Sequence, residues 1–303
     1  MVATIDVGGF PHDLAVSPDG RHVYLAGNDG LSVIDTSTNS VVETIAIADH
    51  GNTLGGVAVS PDGAFAYVTN NSANTLSILN TSTNTVAFTV PVGRGPWHVV
   101  INPNGARAYI VNIGAGTLSV VNTVDRVVLV NVDITTTQRG PAQLAVSPSG
   151  GRVYVANNFD NTLSVISGSA SSIEKTIKLE APNGVAASRD RVYVTQDLGG
   201  VTPRNVTVLD PHANHNVIGT VAVGARPSGM AVSPDGTRLY VANTDDDTVS
   251  VVDTASDAAI DTIAVGHTPL EVAVSPDSTR VYVINQSDSA VSVIAAESVA
   301  SGP

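Results

Sequence analysis

The chain has 303 residues, no cysteine and a formal net charge of −13, with only 14 lysines and arginines together. The absence of cysteine excludes disulfides, thiolate nucleophiles and cysteine-ligated metals, and the scarcity of basic residues argues against nucleic acid or an anionic membrane surface as a partner. No apolar run approaches the roughly 18 residues that a transmembrane helix needs, so no membrane span is predicted.

A repeat with a period in the low forties occupies the whole chain. Its clearest marker is a tyrosine in the middle of a β-branched run, and successive tyrosines lie 39 to 47 residues apart. They are Tyr24, Tyr67, Tyr109, Tyr154, Tyr193, Tyr240 and Tyr282. Such a period is typical of four-stranded sheets arranged radially. We predict an all-β, seven-bladed β-propeller of antiparallel blades over residues 1–295, followed by a loosely ordered tail at 296–303.

The first predicted element in chain order is an isolated strand at Thr4–Val7. Each repeat then contains a first strand that ends in a Ser-Pro-Asp-Gly turn, the tyrosine strand, a Leu-Ser-Val-Ile strand and a Thr-Ile-x-Val strand. The last repeat, which begins near Pro269, lacks its fourth strand. We therefore predict that the N-terminal strand completes the seventh blade and closes the ring, which removes two exposed strand edges.

The chain departs from the repeat in three ways, which indicate where function could reside, because irregular loops on a regular scaffold often carry it. The approach to the first strand is longer in blades two and four, at Asp49–Thr53 and Thr135–Gly140. Blade five has a longer second loop, Asp197–Asn205, and reads Ser188–Arg191 in place of the Pro-Asp-Gly turn. The long loop is either a lid over the channel mouth or a tolerated surface insertion.

Titratable side chains concentrate where the first strands begin. The two residues after each repeat proline are expected near the rim of the central channel. At these positions and in the approaches just before the first strands, the arc of blades seven, one, two and three carries His267, Glu271, His12, Asp13, His50, Trp97 and His98, and the other arc carries Arg139, Gln143, Asn183 and Arg226. Histidines and carboxylates that converge at a concave mouth predict a binding or catalytic site. The alternatives are solvated loop histidines and a tryptophan that plugs the channel.

The phrases Ser-Pro-Asp-Gly, Tyr-Val-x-Asn and Ser-Val-Ile-Asp resemble the YVTN-type β-propeller repeats of bacterial and archaeal surface and secreted proteins. The resemblance covers essentially the whole chain and implies the propeller fold. The same sheet pattern is similar to lactonase-type seven-bladed propellers and to streptogramin-lyase-like proteins. The Asn/Thr/Ser-rich, lysine-poor composition favours an extracytoplasmic protein, although no signal peptide is recognisable at the start of this sequence.

Two functions follow from these observations. The first is recognition without catalysis, in which a small molecule or a protein segment binds at the irregular face; the lack of any complete catalytic motif favours it. The second, which the likeness to lactonase-type and streptogramin-lyase-like propellers implies, is a lyase or lactonase acting on a small cyclic or ester-like molecule. His98 or His12 would then be the general base, Glu271 and Asp13 would bind a divalent metal or orient the base, and Arg226 or Arg139 would hold an anionic substrate. That metal is the only cofactor the sequence suggests.

Overall fold

The computed structural model describes residues 1–47, 53–135, 140–169, 172–198 and 204–296. In these ranges 28 strands form seven four-stranded antiparallel sheets. The N-terminal strand is β1 (Ala3–Asp6). Blade one consists of β2 (Pro11–Val16), β3 (His22–Gly27), β4 (Gly30–Asp35) and β5 (Ser40–Ile45); blade two of β6 (Leu54–Val59), β7 (Phe65–Asn70), β8 (Thr75–Asn80) and β9 (Thr85–Pro91); blade three of β10 (Pro96–Ile101), β11 (Arg107–Asn112), β12 (Thr117–Asn122) and β13 (Val127–Asp133).

Blade four consists of β14 (Pro141–Val146), β15 (Arg152–Asn157), β16 (Thr162–Ser167) and β17 (Ile173–Lys178); blade five of β18 (Pro182–Ala187), β19 (Val192–Gln196), β20 (Asn205–Asp210) and β21 (Asn216–Ala222); blade six of β22 (Pro227–Val232), β23 (Arg238–Asn243), β24 (Thr248–Asp253) and β25 (Ala258–Ala264); blade seven of β26 (Pro269–Val274), β27 (Arg280–Asn285) and β28 (Ala290–Ala295). A single 3₁₀ turn, Gln286–Asp288, precedes β28. Among the described residues no helix is long and apolar enough to cross a membrane.

The ring closes through the N-terminal strand, as predicted. β1 pairs antiparallel with β28, and Ile5 lies opposite Val291. Ile5 is buried in the core that blades seven and one share, together with Leu14 and Tyr282. The fourth strand of blade seven therefore comes from the opposite end of the chain.

The Ser-Pro-Asp-Gly sequence forms the predicted turn, and its serine organises it. In the first copy, the Ser17 hydroxyl donates to Asp19 at 2.6 Å and accepts the His22 N–H at 3.0 Å. Gly20 takes the positive φ of 71° that the turn requires. These contacts fix the hairpin between the first two strands of the blade.

The repeat tyrosines pack between sheets, as predicted, since all seven are buried. In most copies an asparagine lies three residues after the tyrosine, and it has a structural role too. Asn112 is fully buried and donates to Thr117 at 2.9 Å and to Ser119 at 2.8 Å on the neighbouring strand. Asn157 and Asn243 make the equivalent pairs of bonds in their own blades. The repeat motif therefore encodes the sheets rather than the site.

The innermost strands each contain a β-bulge near their start. In blade three Pro96 lies opposite Asn112 and Val99 lies opposite Ile110, so that Trp97 and His98 together face a single residue of β11. The other innermost strands carry register shifts at the same place. A bulge redirects side chains, and it turns these two consecutive residues towards the axis of the ring.

Candidate functional site

Seven residues, one per blade, occupy equivalent positions around the central channel. They are the third residues of the innermost strands: Asp13, Gly56, His98, Gln143, Gly184, Gly229 and Glu271. The four with side chains, Asp13, His98, Gln143 and Glu271, form what we call the polar layer. All four line both a cavity of about 800 Å³ on one side and a smaller cavity of about 440 Å³ on the other. The polar layer is therefore a partition across the channel.

Asp13 and His98 form a buried pair in this layer. The Asp13 carboxylate accepts the Leu14 N–H at 2.8 Å and the Val57 N–H of the next blade at 2.9 Å. His98 Nε2 lies 3.4 Å from Asp13 Oδ2. Burial disfavours the imidazolium, but the carboxylates of Asp13 and Glu271 outweigh it and raise the pKa of His98 to about 9. His98 is therefore a cation at neutral pH.

Glu271 is held by an amide whose orientation is fixed. Gln143 Oε1 accepts the Val185 N–H at 3.3 Å, which leaves the Gln143 Nε2 to donate to Glu271 Oε2. Burial and the nearby Asp13 carboxylate together raise the pKa of Glu271 to about 8, while His98 and Gln143 partly oppose this rise. The polar layer therefore contains a carboxyl group that exchanges its proton above neutral pH.

Glycine at the remaining three positions gives the polar side chains their room. A Cβ at Gly229 would lie 2.5 Å from Glu271 Oε1, and one at Gly184 would lie 3.2 Å from Gln143 Oε1. A Cβ at Gly56 would lie 3.0 Å from Asp13 Oδ2. Each of these polar side chains therefore leans over a neighbouring blade that has no side chain at this level.

Two threonines form hydrogen bonds that link blades two and five, which have glycine at the third position, to blades three and six. Thr69 accepts the Gly56 N–H at 2.7 Å and donates to the Trp97 carbonyl of the next blade at 2.6 Å. Thr195 repeats this arrangement in blade five, with the Gly184 N–H at 2.7 Å and a carbonyl of blade six at 2.9 Å. Hydrogen bonds between blades hold the floor of the cavity in a fixed geometry.

The cavity above the polar layer combines a charged floor with a largely apolar wall. His12, Trp97, Ile113, Phe159 and Leu270 line it, with Arg94 and Asn183 among the polar contributors. Trp97 is half-buried and packs against the core between blades three and four. A concave, mostly apolar space with a few convergent polar groups is the usual form of a small-molecule site.

Three members of the polar layer could also hold a cation. One ligand-type atom from each of Asp13, His98 and Glu271 lies within 4.8 Å of the others. Two carboxylates and an imidazole are donors that divalent metals such as Mn²⁺ and Zn²⁺ accept. The same three groups suffice for acid–base chemistry without a metal, because each has a fixed neighbour and two of them have shifted pKa values.

A family model for seven-bladed β-propeller lactonases matches residues 79–184 and 195–301. The chain belongs to this lactonase family. The assignment agrees with the seven four-stranded blades and accounts for the sequence resemblance at the level of the propeller; the more specific YVTN-type assignment stays a prediction. No functionally curated protein matches this lactonase-family chain.

Solved structures agree on the fold. The chain is similar to Kuenenia stuttgartiensis hydrazine synthase with a TM-score of 0.82 and 20% sequence identity, over 99% of both chains. At this identity the likeness shows the fold alone. Among solved structures 1756 chains match this chain, so the activity of the lactonase-family chain has to be argued from its own residues.

The predicted arc is only partly assembled. The structure brings Asp13, His98 and Glu271 together with Gln143 from the other arc, inside the channel rather than on its rim, and their role as a site stays a prediction. His12, Trp97 and Asn183 line the cavity above them. His12 does not join the polar layer; its Nε2 pairs with Asn28 Oδ1 at 3.0 Å.

Two predicted members lie elsewhere. His267 is exposed and pairs with Asp288 at 2.9 Å, and Arg226 lies 3.5 Å from Asp245. Neither lines the cavity. Each adopts its position because it belongs to a solvated turn before the innermost strand, where a local carboxylate is the nearest partner. His50 and Arg139, most of the blade-five loop and residues 297–303 of the tail lie outside the described residues.

Several contributors were not anticipated. Arg94, Asn158 and Phe159 line the cavity from the loops around blades three and four. The sequence did contain a signal for the glycines and for the threonines that link blades. Gly56 with Thr69 in blade two and Gly184 with Thr195 in blade five are the same departure from the repeat. Alignment of the seven copies would have shown the pairing, although not its geometry.

Substitution of Gly229 by alanine is expected to destabilise the protein by about 1–3 kcal/mol, because the new methyl group would meet both Glu271 Oε1 and the Leu270 carbonyl at 2.5 Å. The backbone carbonyl cannot move aside. Gly219→Ala is the matched control, since a Cβ there meets nothing within 4 Å. Urea unfolding of both variants measures the difference, and equal stabilities would contradict the close packing described for the polar layer.

Proposed function

We propose that the protein hydrolyses a small lactone or related cyclic ester in the cavity above the polar layer. The observation that carries the proposal is the convergence of Asp13, His98 and Glu271, whose reactive atoms lie within 4.8 Å of one another at the floor of a cavity of about 800 Å³. Membership of the lactonase family supports the choice of substrate class.

The directions of the pKa shifts support the following roles. Ionised Glu271 takes a proton from a water molecule while the water oxygen bonds to the acyl carbon. The His98 imidazolium, held by Asp13, donates a hydrogen bond to the oxyanion that forms on the carbonyl oxygen. As the tetrahedral intermediate collapses, the ring C–O bond breaks and the leaving alkoxide takes the proton of His98. The product is a hydroxy acid, and the proton on Glu271 returns to His98 through solvent.

Hydrolysis is expected to be fastest between about pH 8 and about pH 9. The active form needs Glu271 ionised and His98 protonated, and their pKa values are raised to about 8 and about 9. Activity therefore rises as pH increases through the first value and falls through the second. The titratable groups that face Glu271 are Asp13 and His98, with the neutral Gln143. A stopped pH-indicator assay with γ-butyrolactone, corrected for spontaneous hydrolysis at each pH, measures the profile.

The same assay with chelator and with added Mn²⁺ or Zn²⁺ separates two chemistries at the polar layer. A rate that survives chelation supports the acid–base roles given above. A rate that depends on added metal would instead make Asp13, His98 and Glu271 ligands, which is the metal-assisted alternative. Absence of turnover with every lactone tested, with and without metal, would contradict the proposed hydrolysis.

A second candidate is recognition of a small molecule without turnover. One observation favours it: at neutral pH the raised pKa values keep His98 protonated and Glu271 largely neutral, so that neither is a base. In this protonation state His98 and Glu271 can both donate hydrogen bonds to the carbonyl or carboxylate oxygens of a ligand. Calorimetric titration with lactones and their hydroxy acids detects this function directly, and binding without turnover across pH 6 to 10 would replace the enzymatic proposal.

A further inference from the structure

An aromatic wall stands directly above the polar layer. Trp97, the only tryptophan in the chain, is the second residue of β10 and lines the cavity. Its ring centroid lies 5.1 Å from that of His12, with an interplanar angle of 62°. His12 is held in turn by Asn28 at 3.0 Å. The two rings therefore form a fixed edge-to-face pair that belongs to blades one and three.

Blade two makes this pair possible because it has no side chain at that level. A Cβ at Gly55 would lie 2.4 Å from the Trp97 carbonyl oxygen and 2.8 Å from its Cα. Glycine thus lets the backbone of blade three approach blade two closely. The rings of Trp97 and His12 contact each other across blade two, which has no side chain between them. The Trp97 indole lines the cavity beside the polar layer.

The rest of the upper wall is mixed, and its polar members besides Arg94 are Asn158, Asn183, Asp197 and Ser228. Ile113, Phe159 and Leu270 contribute apolar surface. Among the described lining residues Arg94 carries the only permanent positive charge, and its Nε already donates to the Gly114 carbonyl at 2.8 Å. A phosphate group is bound best by several cationic donors, which the described lining residues do not supply. A flat apolar group needs only contact area, and Trp97 supplies it.

We propose that Trp97 and His12 form a subsite for a planar apolar ring, so that the preferred substrate is a lactone that carries an aryl substituent. The claim that the ligand is a substrate rests on the proposed hydrolytic function. The claim that it carries a planar ring rests only on the geometry of Trp97 and His12. The lactone group contacts the polar layer while the ring packs against the Trp97 indole. Trp97 is thus a specificity-determining residue rather than a catalytic one.

The test compares γ-phenyl-γ-butyrolactone with γ-methyl-γ-butyrolactone. We expect the phenyl compound to have the higher kcat/KM and Trp97→Leu to reduce the phenyl-to-methyl ratio about tenfold, mainly through KM, because a lost ring–ring contact with its buried area amounts to about that factor. Trp97→Phe should restore most of the ratio. Phe10→Leu is the matched control, since Phe10 also packs edge-on against His12, at 5.6 Å, but does not line the cavity.

Binding measurements keep the two proposals separable. Trp97 is the sole indole, so its fluorescence in the wild-type protein reports occupancy of the wall, and calorimetry gives dissociation constants for every variant. If neither lactone is hydrolysed, tighter binding of the phenyl compound that Trp97→Leu abolishes still supports the subsite. Equal affinity for both compounds, or an equal loss for both in Trp97→Leu, overturns it even if hydrolysis is confirmed.

Discussion

Glu271→Gln is expected to lower kcat for lactone hydrolysis by at least about 100-fold between pH 8 and pH 9, the interval in which its carboxylate is the proposed base. The amide cannot accept the proton from water. It can still accept the hydrogen bond of Gln143 and occupy the space above Gly229, so the fold should be retained. His98→Ala is expected to cause a loss of similar size, because the oxyanion loses its cationic donor.

Stability measurements separate catalysis from unfolding. The pKa of Glu271 is raised from 4.5 to about 8, so its protonated form stabilises the native state, and this contribution is lost as pH rises from about 4.5 through about 8. Glu271→Gln cannot lose it, and its melting temperature at pH 9 should equal or exceed that of the wild type. A large fall in melting temperature would mean that lost activity reflects unfolding.

Matched controls exist for both substitutions. Glu174→Gln removes an exposed carboxylate that pairs with Arg152 at 3.2 Å, and His267→Ala removes an exposed imidazole that pairs with Asp288. Neither residue lines the cavity. Both variants should keep wild-type kcat and KM. Full activity in Glu271→Gln, or a loss in His267→Ala as large as that in His98→Ala, would contradict the assignment of the site to the polar layer.

Ile5→Asp is expected to destabilise the protein by about 4 kcal/mol or more, the largest effect on stability that we predict. Ile5 is 3% exposed and packs with Leu14, Tyr282 and Val291 where the ring closes. A carboxylate there has no cationic partner in that core. Because burial of the carboxylate is unfavourable, β1 would detach from β28. Blade seven would then have three strands and an exposed edge.

Thr4→Asp is the control for this prediction. Thr4 is exposed on the same strand, and its side chain points to the opposite face of the sheet from that of Ile5. The control should change stability by no more than about 0.5 kcal/mol. Thermal unfolding followed by circular dichroism, with size-exclusion chromatography to detect association through the open edge, measures both variants. Equal stability of the two would mean that β1 does not close the ring.

The strands were predictable because the information that specifies them is local. Tyr67 and its six equivalents mark the second strands, and Ser17 and Asp19 specify a turn through contacts within a few residues. The missing fourth strand of the last repeat was equally visible, since only Thr4–Val7 remained unassigned. These features depend on sequence spacing and on backbone chemistry that neighbouring residues determine.

The candidate site was predictable as a set of positions but not as an arrangement. Counting from the repeat prolines brought Asp13, His98 and Glu271 to one end of the ring. His267 and Arg226 lie before the repeat proline and were assigned to the same site only because they belong to the approaches to the innermost strands. The structure separates the two groups through the register shift of each innermost strand.

The sequence by itself determined the number of blades, the closure of the ring and the blades whose innermost strands carry most of the titratable side chains. Only the tertiary structure decided which side chains meet, because those contacts join blades more than 40 residues apart in sequence and depend on empty space that glycine provides in other blades. The depth of Glu271 and its proximity to Asp13 and His98, which raise its pKa, are properties of the assembled ring. Local spacing does not encode them, and the proposed activity depends on them.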